Sequence, residues 1–170
     1  MINNKTYHNV VDTITSIGDK HQQITTVTVG DLWDVDLEKN TKYPLMHVNP
    51  TSVQANESSL IFNFQIFIMD LVSIKNDWTT FTTLNKTNES EVLSDCLSNS
   101  IDIIGILRHS KYQSQDMDDI DAPIYFSSVG QTLEPFTERF DQDVTGWVFQ
   151  IGIVVDNDFQ SCDIPMTPLV

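Results

Sequence analysis

Residues 60–72 decide the fold: Leu60-Ile61-Phe62-Asn63-Phe64-Gln65-Ile66-Phe67-Ile68-Met69-Asp70-Leu71-Val72. Leu60, Phe62, Phe64, Ile66 and Ile68 alternate strictly, so in an extended chain all five side chains point to one side. On the other side Asn63 and Gln65 give way to Phe67, Met69 and Leu71. This pattern predicts a long strand, half-buried where it begins and buried on both faces where it ends. A second segment repeats it, with Trp147, Phe149, Ile151, Ile153 and Val155 on one face and Val148, Gln150, Gly152 and Val154 behind. Two such strands need a layer of helix or a second sheet over their apolar faces.

Two amphipathic helices can supply that layer. Tyr7, Val10, Val11, Ile14 and Ile17 recur at three- and four-residue steps, predicting a helix over 5–18 with Asn3 or Asn4 as its cap and Gly18 as its exit. The second helix is expected over 89–108. Its stripe is Val92, Leu93, Cys96, Leu97, Ile101, Ile104 and Leu107, with Leu93, Leu97, Ile101 and Ile104 facing the sheet. Asn88 followed by Glu91 reads as a capping signal, and Arg108 and Lys111 suit the negative end of the dipole. Residues 24–29 read as a strand that turns at Gly30 and Asp31 into 32–37. Residues 43–49 read as a short strand ended by Pro50, and 51–59 as a polar connection with room for a short strand of its own. Residues 124–129 and 131–136 read as a hairpin around Gly130, and 137–145 as a link to the last strand, 146–155. The expected fold class is α+β: a mixed, largely antiparallel sheet with two α-helices packed on one face. It forms a single domain over 1–155, followed by an extended C-terminal arm over 156–170.

Composition narrows the function. The chain has 170 residues, 40% of them hydrophobic, enough for a real core in one domain. Its formal charge is −15, from 24 acidic against 9 basic residues. That balance argues against gripping nucleic acid through phosphates, which takes Lys and Arg to displace counterions. The acidity is also lopsided. Residues 112–170 hold eleven acids and one base, Arg139, for a net −10. Nothing in 1–18 resembles a signal peptide, and no apolar run approaches the ~20 residues of a membrane span. Cys96 and Cys162 make no disulfide framework. The expectation is a protein cytosolic where it is made.

Motifs that carry chemistry are missing. There is no Gly-x-Ser-x-Gly, Cys-x-x-Cys, His-Glu-x-x-His or phosphate-cradling glycine loop. Asp116, Asp118, Asp119 and Asp121 lie close in sequence, but the glycine and glutamate of a calcium-binding loop are absent, so they read as a solvated acidic loop. His8, His21, His47 and His109 fall in four different elements, without metal-ligand spacing. Cys96, on an apolar helix stripe, reads as a small core residue. Asp70, at the buried end of the central strand, needs a partner such as Lys75 or Arg139. These readings predict no catalytic residue, no metal and no cofactor: a protein that is not an enzyme. Residues 73–88 form a long stretch without periodicity in which Trp78 and Phe81 are the only aromatic residues, which favours a contact loop.

Several stretches together carry a family resemblance. They are Thr132-Leu133-Glu134-Pro135-Phe136-Thr137-Glu138-Arg139-Phe140-Asp141 followed by Gly146-Trp147-Val148, Tyr43-Pro44-Leu45, the central strand from Asn63 to Val72, and Val92-Leu93-Ser94-Asp95. Over roughly residues 7–158 the chain resembles small tail proteins of tailed bacteriophages, in particular tail-terminator-like ring proteins of crAss-like phages and related viruses. The central strand and the Glu-Pro-Phe-Thr-Glu-Arg-Phe stretch are its most specific parts. The resemblance implies a mixed sheet flanked by two helices, assembled as a cyclic homo-oligomer (hexamer or dodecamer) around a DNA channel. It also implies a structural virion protein that meets portal, connector or other tail proteins, sits in the virion after assembly in the host cytoplasm, and has no membrane partner.

Within that expectation DNA passes through without being specifically bound. An acidic lumen repels a sliding duplex from every side. Asp116, Asp118, Asp119, Asp121, Asp141 and Asp143 are the residues expected to line or rim the channel. Trp78, Phe81 and Phe159, the last in the C-terminal arm, are expected at the subunit interface. The alternative is an acidic DNA mimic that occupies a host nuclease, although its carboxylates would then be expected along one helical face. A metal-dependent hydrolase using the acidic loop is the third reading.

Overall fold

The computed structural model describes residues 7–31, 41–73, 88–108, 125–126, 131–139 and 143–156. Eight elements follow in chain order: α1 (Tyr7–Lys20), β1 (Thr26–Val29), β2 (Leu45–Ala55), β3 (Ser59–Leu71), α2 (Glu89–Arg108), β4 (Tyr125–Phe126), β5 (Leu133–Arg139) and β6 (Asp143–Asp156). The strands form one sheet in the order β1-β2-β3-β6-β4, with β5 also paired to β6. Only β1 and β2 run parallel; the other pairs are antiparallel. The fold is thus α+β with a mixed, mostly antiparallel sheet.

The alternation in β3 sorts the core as its side chains dictate. Phe62, Phe64, Ile66 and Ile68 join Phe149, Ile151, Ile153 and Val155 of β6 in one cluster with the apolar residues of both helices. Phe67 and Met69 point the other way, into a smaller cluster with Leu45 and Val144, flanked by Tyr43, Leu71, Phe136 and Val148. β3 is paired with β6 over its whole length, from Ser59 opposite Asp156 to Leu71 opposite Val144. Gly146 is required there. A Cβ at that position would run into the Ile68 carbonyl and lie 2.8 Å from the Met69 Cα.

Several boundaries differ from the sequence reading. Gly18 does not end α1, which continues to Lys20. It is instead the point of closest approach to the sheet, where a Cβ would stand 2.6 Å from the Met46 sulfur and 2.9 Å from Val27 Cγ2. Pro50 does not end β2. The strand passes through it, with a register shift between Pro50 and Ser52, and returns directly as β3 in a hairpin. Geometry explains why. The Asn56 amide donates to Ser59 at 2.8 Å, so the alternation of an antiparallel ladder turns Gln54 and Ser52 inward. Carried across the register shift, it turns Pro50 and Val48 outward. Val48 then meets the Gly30 amide at 3.1 Å. β1 stops there, so the missing N–H of Pro50 interrupts no ladder bond.

Among the described residues, the two strands expected to form a hairpin around Gly130 do not pair with each other. Both β4 and β5 lie along β6, whose 14 residues are long enough to take them end to end. The true hairpin is β5–β6, joined at 140–142.

The helix phase is the largest correction. α2 buries Val92, Cys96, Asn99, Ser100, Ile103, Ile104 and Leu107. Leu93 and Leu97 are half-buried, and Ile101 is 55% exposed. The buried face is turned about a quarter of a turn from the expected one, at 3.6 residues per turn. Small residues on that face allow close contact with the sheet, and the Ser100 hydroxyl satisfies itself on the Cys96 carbonyl at 2.7 Å. The Trp147 indole N–H, 2.8 Å from the Leu93 carbonyl, pins the helix to β6. Asn88 starts α2 through its backbone carbonyl, which accepts from Glu91 and Val92 at 3.0 Å. Its side-chain oxygen is used elsewhere, accepting from the Ser73 amide at 2.7 Å and tying the end of β3 to the start of α2. The expected strand over 32–37 lies outside the described residues; of the arm expected over 156–170, Asp156 instead ends β6 and the rest lies outside the described residues.

Candidate functional site

Among the described residues, several side chains able to do chemistry have structural roles. Cys96 is buried, and burial, with Asp70 and Asp95 nearby, pushes its thiol up to about 12. That leaves a neutral thiol rather than a nucleophile. Asp70 is half-buried, and its Oδ1 accepts from the Leu71 amide at 2.7 Å. Burial raises its pKa; the Leu71 amide lowers it and Asp95 raises it further. Of the partners expected for Asp70, Lys75 lies outside the described residues, and the register places the Arg139 backbone opposite Asp143 while Asp70 is opposite Thr145.

The histidines are dispersed. His8 pairs with Asp12 on exposed α1 at 3.0 Å, and His21 lies 3.6 Å from Asp102, linking the end of α1 to α2. His47, far from a surface residue, is 1% exposed. Its Nδ1 is 2.8 Å from the Thr28 hydroxyl and its ring is tilted against Phe67, with centroids 6.1 Å apart. Its Nε2 is buried without a partner among the described residues. Burial lowers its pKa, partly offset by the Gly30 backbone and Asp31, so the ring is held neutral. His109 lies outside the described residues. Among the described residues no three His, Cys, Asp or Glu side chains come together as a metal site would require.

The sheet itself offers the more distinctive surface. Both helices belong to the cluster on one face. On the other face, beyond the small apolar cluster, β3 and β6 present Asn63, Gln65 and Gln150, with Gln65 directly opposite Gln150. Gln54, Gln131 and Glu134 complete an open concavity of about 580 Å³. Asn63 is fixed by its amide, which donates to the Ser52 hydroxyl at 3.1 Å, and Gln131 by Arg108 at 2.9 Å. Carboxamides and hydroxyls supply both donors and acceptors. Such a lining can bind, and Glu134 is its one carboxylate.

The outer half of β2 borders this concavity. All residues from Thr51 to Ser58 are exposed. From Asn49 to Asn56 the chain carries no charge, in a molecule whose net charge is −15.

Of the residues singled out from the sequence, Trp78, Phe81, Phe159, Asp116, Asp118, Asp119, Asp121 and Asp141 lie outside the described residues. Asp143 opens β6 opposite Arg139. The concavity was missed by sequence reading because its amides come from strands far apart in the chain. The alternation that places Asn63 and Gln65 behind the apolar face of β3, and Gln150 behind that of β6, was the available signal. No helix among the described residues is long and apolar enough to cross a membrane. No protein-family model matches the chain, and no characterised protein matches it closely enough to count as a relative.

Proposed function

We propose that this chain is a structural virion protein, a subunit of a tail-terminator-like ring in the tail or head–tail connector of a tailed bacteriophage. The reading starts from the sequence resemblance over the central strand and the Glu-Pro-Phe-Thr-Glu-Arg-Phe stretch. The observation that carries it is the layout: a mixed sheet with both helices on one face, which agrees with the arrangement that the resemblance implies. The side-chain chemistry is in keeping with a role in assembly. The buried thiol, the hydrogen-bonded Asp70 and the neutral His47 each have a packing role. In this reading copies of the chain surround the DNA path and meet portal, connector or other tail proteins, and DNA passes without specific contacts.

Native mass spectrometry and electron microscopy of the purified protein test the proposal. A closed ring, hexameric or dodecameric, is the expected result. A monomer or dimer that captures a host nuclease would overturn it in favour of DNA mimicry. Stoichiometric heat of binding with Mg²⁺, Mn²⁺ or Ca²⁺ would instead favour the metal-dependent reading.

A further inference from the structure

We infer that the outer half of β2 is a self-pairing edge, through which two copies of this chain join antiparallel about a two-fold axis at Val53. The ladder fixes which backbone groups are available. With Asn56 bonded to Ser59 and Gln54 opposite Ile61, Val53 and Ala55 turn their N–H and C=O groups away from β3. β1 covers β2 only as far as Val48, so no strand among the described residues meets these groups. An exposed edge of this kind is a template for another strand, and proteins normally guard it with charge or proline. Pro50 guards its start, but nothing comparable stands between Thr51 and Ala55.

Apolar surface gathers at the same place. Four large hydrophobic residues are markedly exposed among the described residues: Tyr7 at 47%, Val29 at 42%, Val53 at 52% and Ile101 at 55%. Three of them border this edge on the helix side. Val53 is opposite Phe62, the Tyr7 ring lies 6.5 Å from Phe62, and Val29 ends β1 opposite Val48.

Charge selects a second copy as the occupant. Two chains of −15 repel at most approaches, but the stretch Asn49–Asn56 is neutral. A two-fold axis at Val53 sets Ala55 against Thr51 and the nearest acid, Glu57, against Asn49, so no like charges face each other. A parallel arrangement in register would instead stack Glu57 on Glu57. The paired copies form one continuous sheet, with the two Val53 side chains buried against each other on the helix side. A two-fold contact closes no ring. It makes dimers, or joins two rings back to back, and it stands separately from the ring proposal.

The test uses the full chain with Cys162→Ser. Opposed residues in a hydrogen-bonded antiparallel pair have Cα atoms about 5.5 Å apart, within disulfide reach. Val53→Cys should therefore cross-link to a dimer under mild oxidation, and Glu57→Cys should not. Val53→Pro removes only an outward N–H, so the monomer should keep its circular dichroism while self-association weakens by about tenfold or more. Val53→Lys should act alike without touching the backbone. Equal cross-linking at both positions, association unchanged in folded Val53→Pro and Val53→Lys, or a wild-type protein that sediments only as a monomer would overturn the inference. Rings that form while Val53→Cys fails to cross-link would remove this contact and leave the ring proposal standing. Val53-linked dimers without rings would do the reverse.

Discussion

Two titratable side chains, buried His47 and half-buried Asp70, pull stability in opposite directions with pH. His47 is held neutral by burial, with its pKa below the ordinary 6.5. The unfolded chain therefore takes up the proton first. The stability that His47 contributes is complete above about pH 6.5 and is lost as pH falls towards the folded value. Asp70 is the reverse case, its pKa raised above 3.8 chiefly by burial. Its contribution is complete below the unfolded value and is lost as pH rises through the folded one, so at neutral pH the carboxylate charge is a cost. Asp70→Asn, which can keep the bond from the Leu71 amide, is expected to raise the urea midpoint near pH 7 and to lose that advantage below about pH 4. His47→Gln is expected to destabilise most at neutral pH, with its gap to wild type narrowing towards about pH 5. Urea titrations of both variants across that range check the signs. A gap for His47→Gln that stays constant would mean the imidazole binds its proton equally well in the folded and unfolded states.

At the scale of elements, strands were easier to read than the helix that covers them. Period-two alternation in β3 assigns every side chain to a face, because a one-residue error would turn all of them over. Both apolar sides of β3 and the core face of β6 came out as their residues dictate. α2 lacked that constraint. Its apolar residues are spread widely enough to suit two faces, and the choice between them depends on contacts distant in sequence. Cys96 and Ser100 let the helix approach the sheet, and Trp147 reaches the Leu93 carbonyl from β6. Pro50 was misread for a related reason, since its effect depends on where β1 stops. The amide-lined concavity is likewise a product of register between β3 and β6, which no local pattern states. The helix phase yields a paired prediction. Ile103→Ala, at a site with no exposure, should cost about 2–5 kcal/mol. Ile101→Ala should stay within about 0.5 kcal/mol of wild type. Denaturant midpoints measured on both variants decide the phase, and a reversal of the two values would restore the face expected from sequence.

For the whole molecule, charge sets the terms on which copies can meet each other and DNA. With −15 per chain and eleven of the acids among residues 112–170, any closed ring concentrates carboxylates. Repulsion between exposed charges reaches about 10 Å at 0.1 M salt and about 30 Å at 0.01 M. Self-association should therefore strengthen as salt rises across that interval, because screening removes the repulsion while strand pairing and apolar contact persist. Phosphate binding has the opposite salt dependence, since added salt opposes counterion release. The two trends separate the roles assigned to the acids. A variant carrying Lys at Asp116, Asp118, Asp119 and Asp121 should bind duplex DNA, with log affinity falling linearly against log salt, whereas wild type should show no binding at the same salt. Sedimentation gives the first trend and fluorescence anisotropy with labelled duplex gives the second. Suppose instead that wild-type self-association weakens with salt. Attraction between opposite charges would then hold the copies together, and the neutral strand of β2 could not be the main contact. If the Lys variant assembles but ignores DNA, those four carboxylates face away from the DNA path, and the acidity of the C-terminal part acts as a solubility feature of the outer wall.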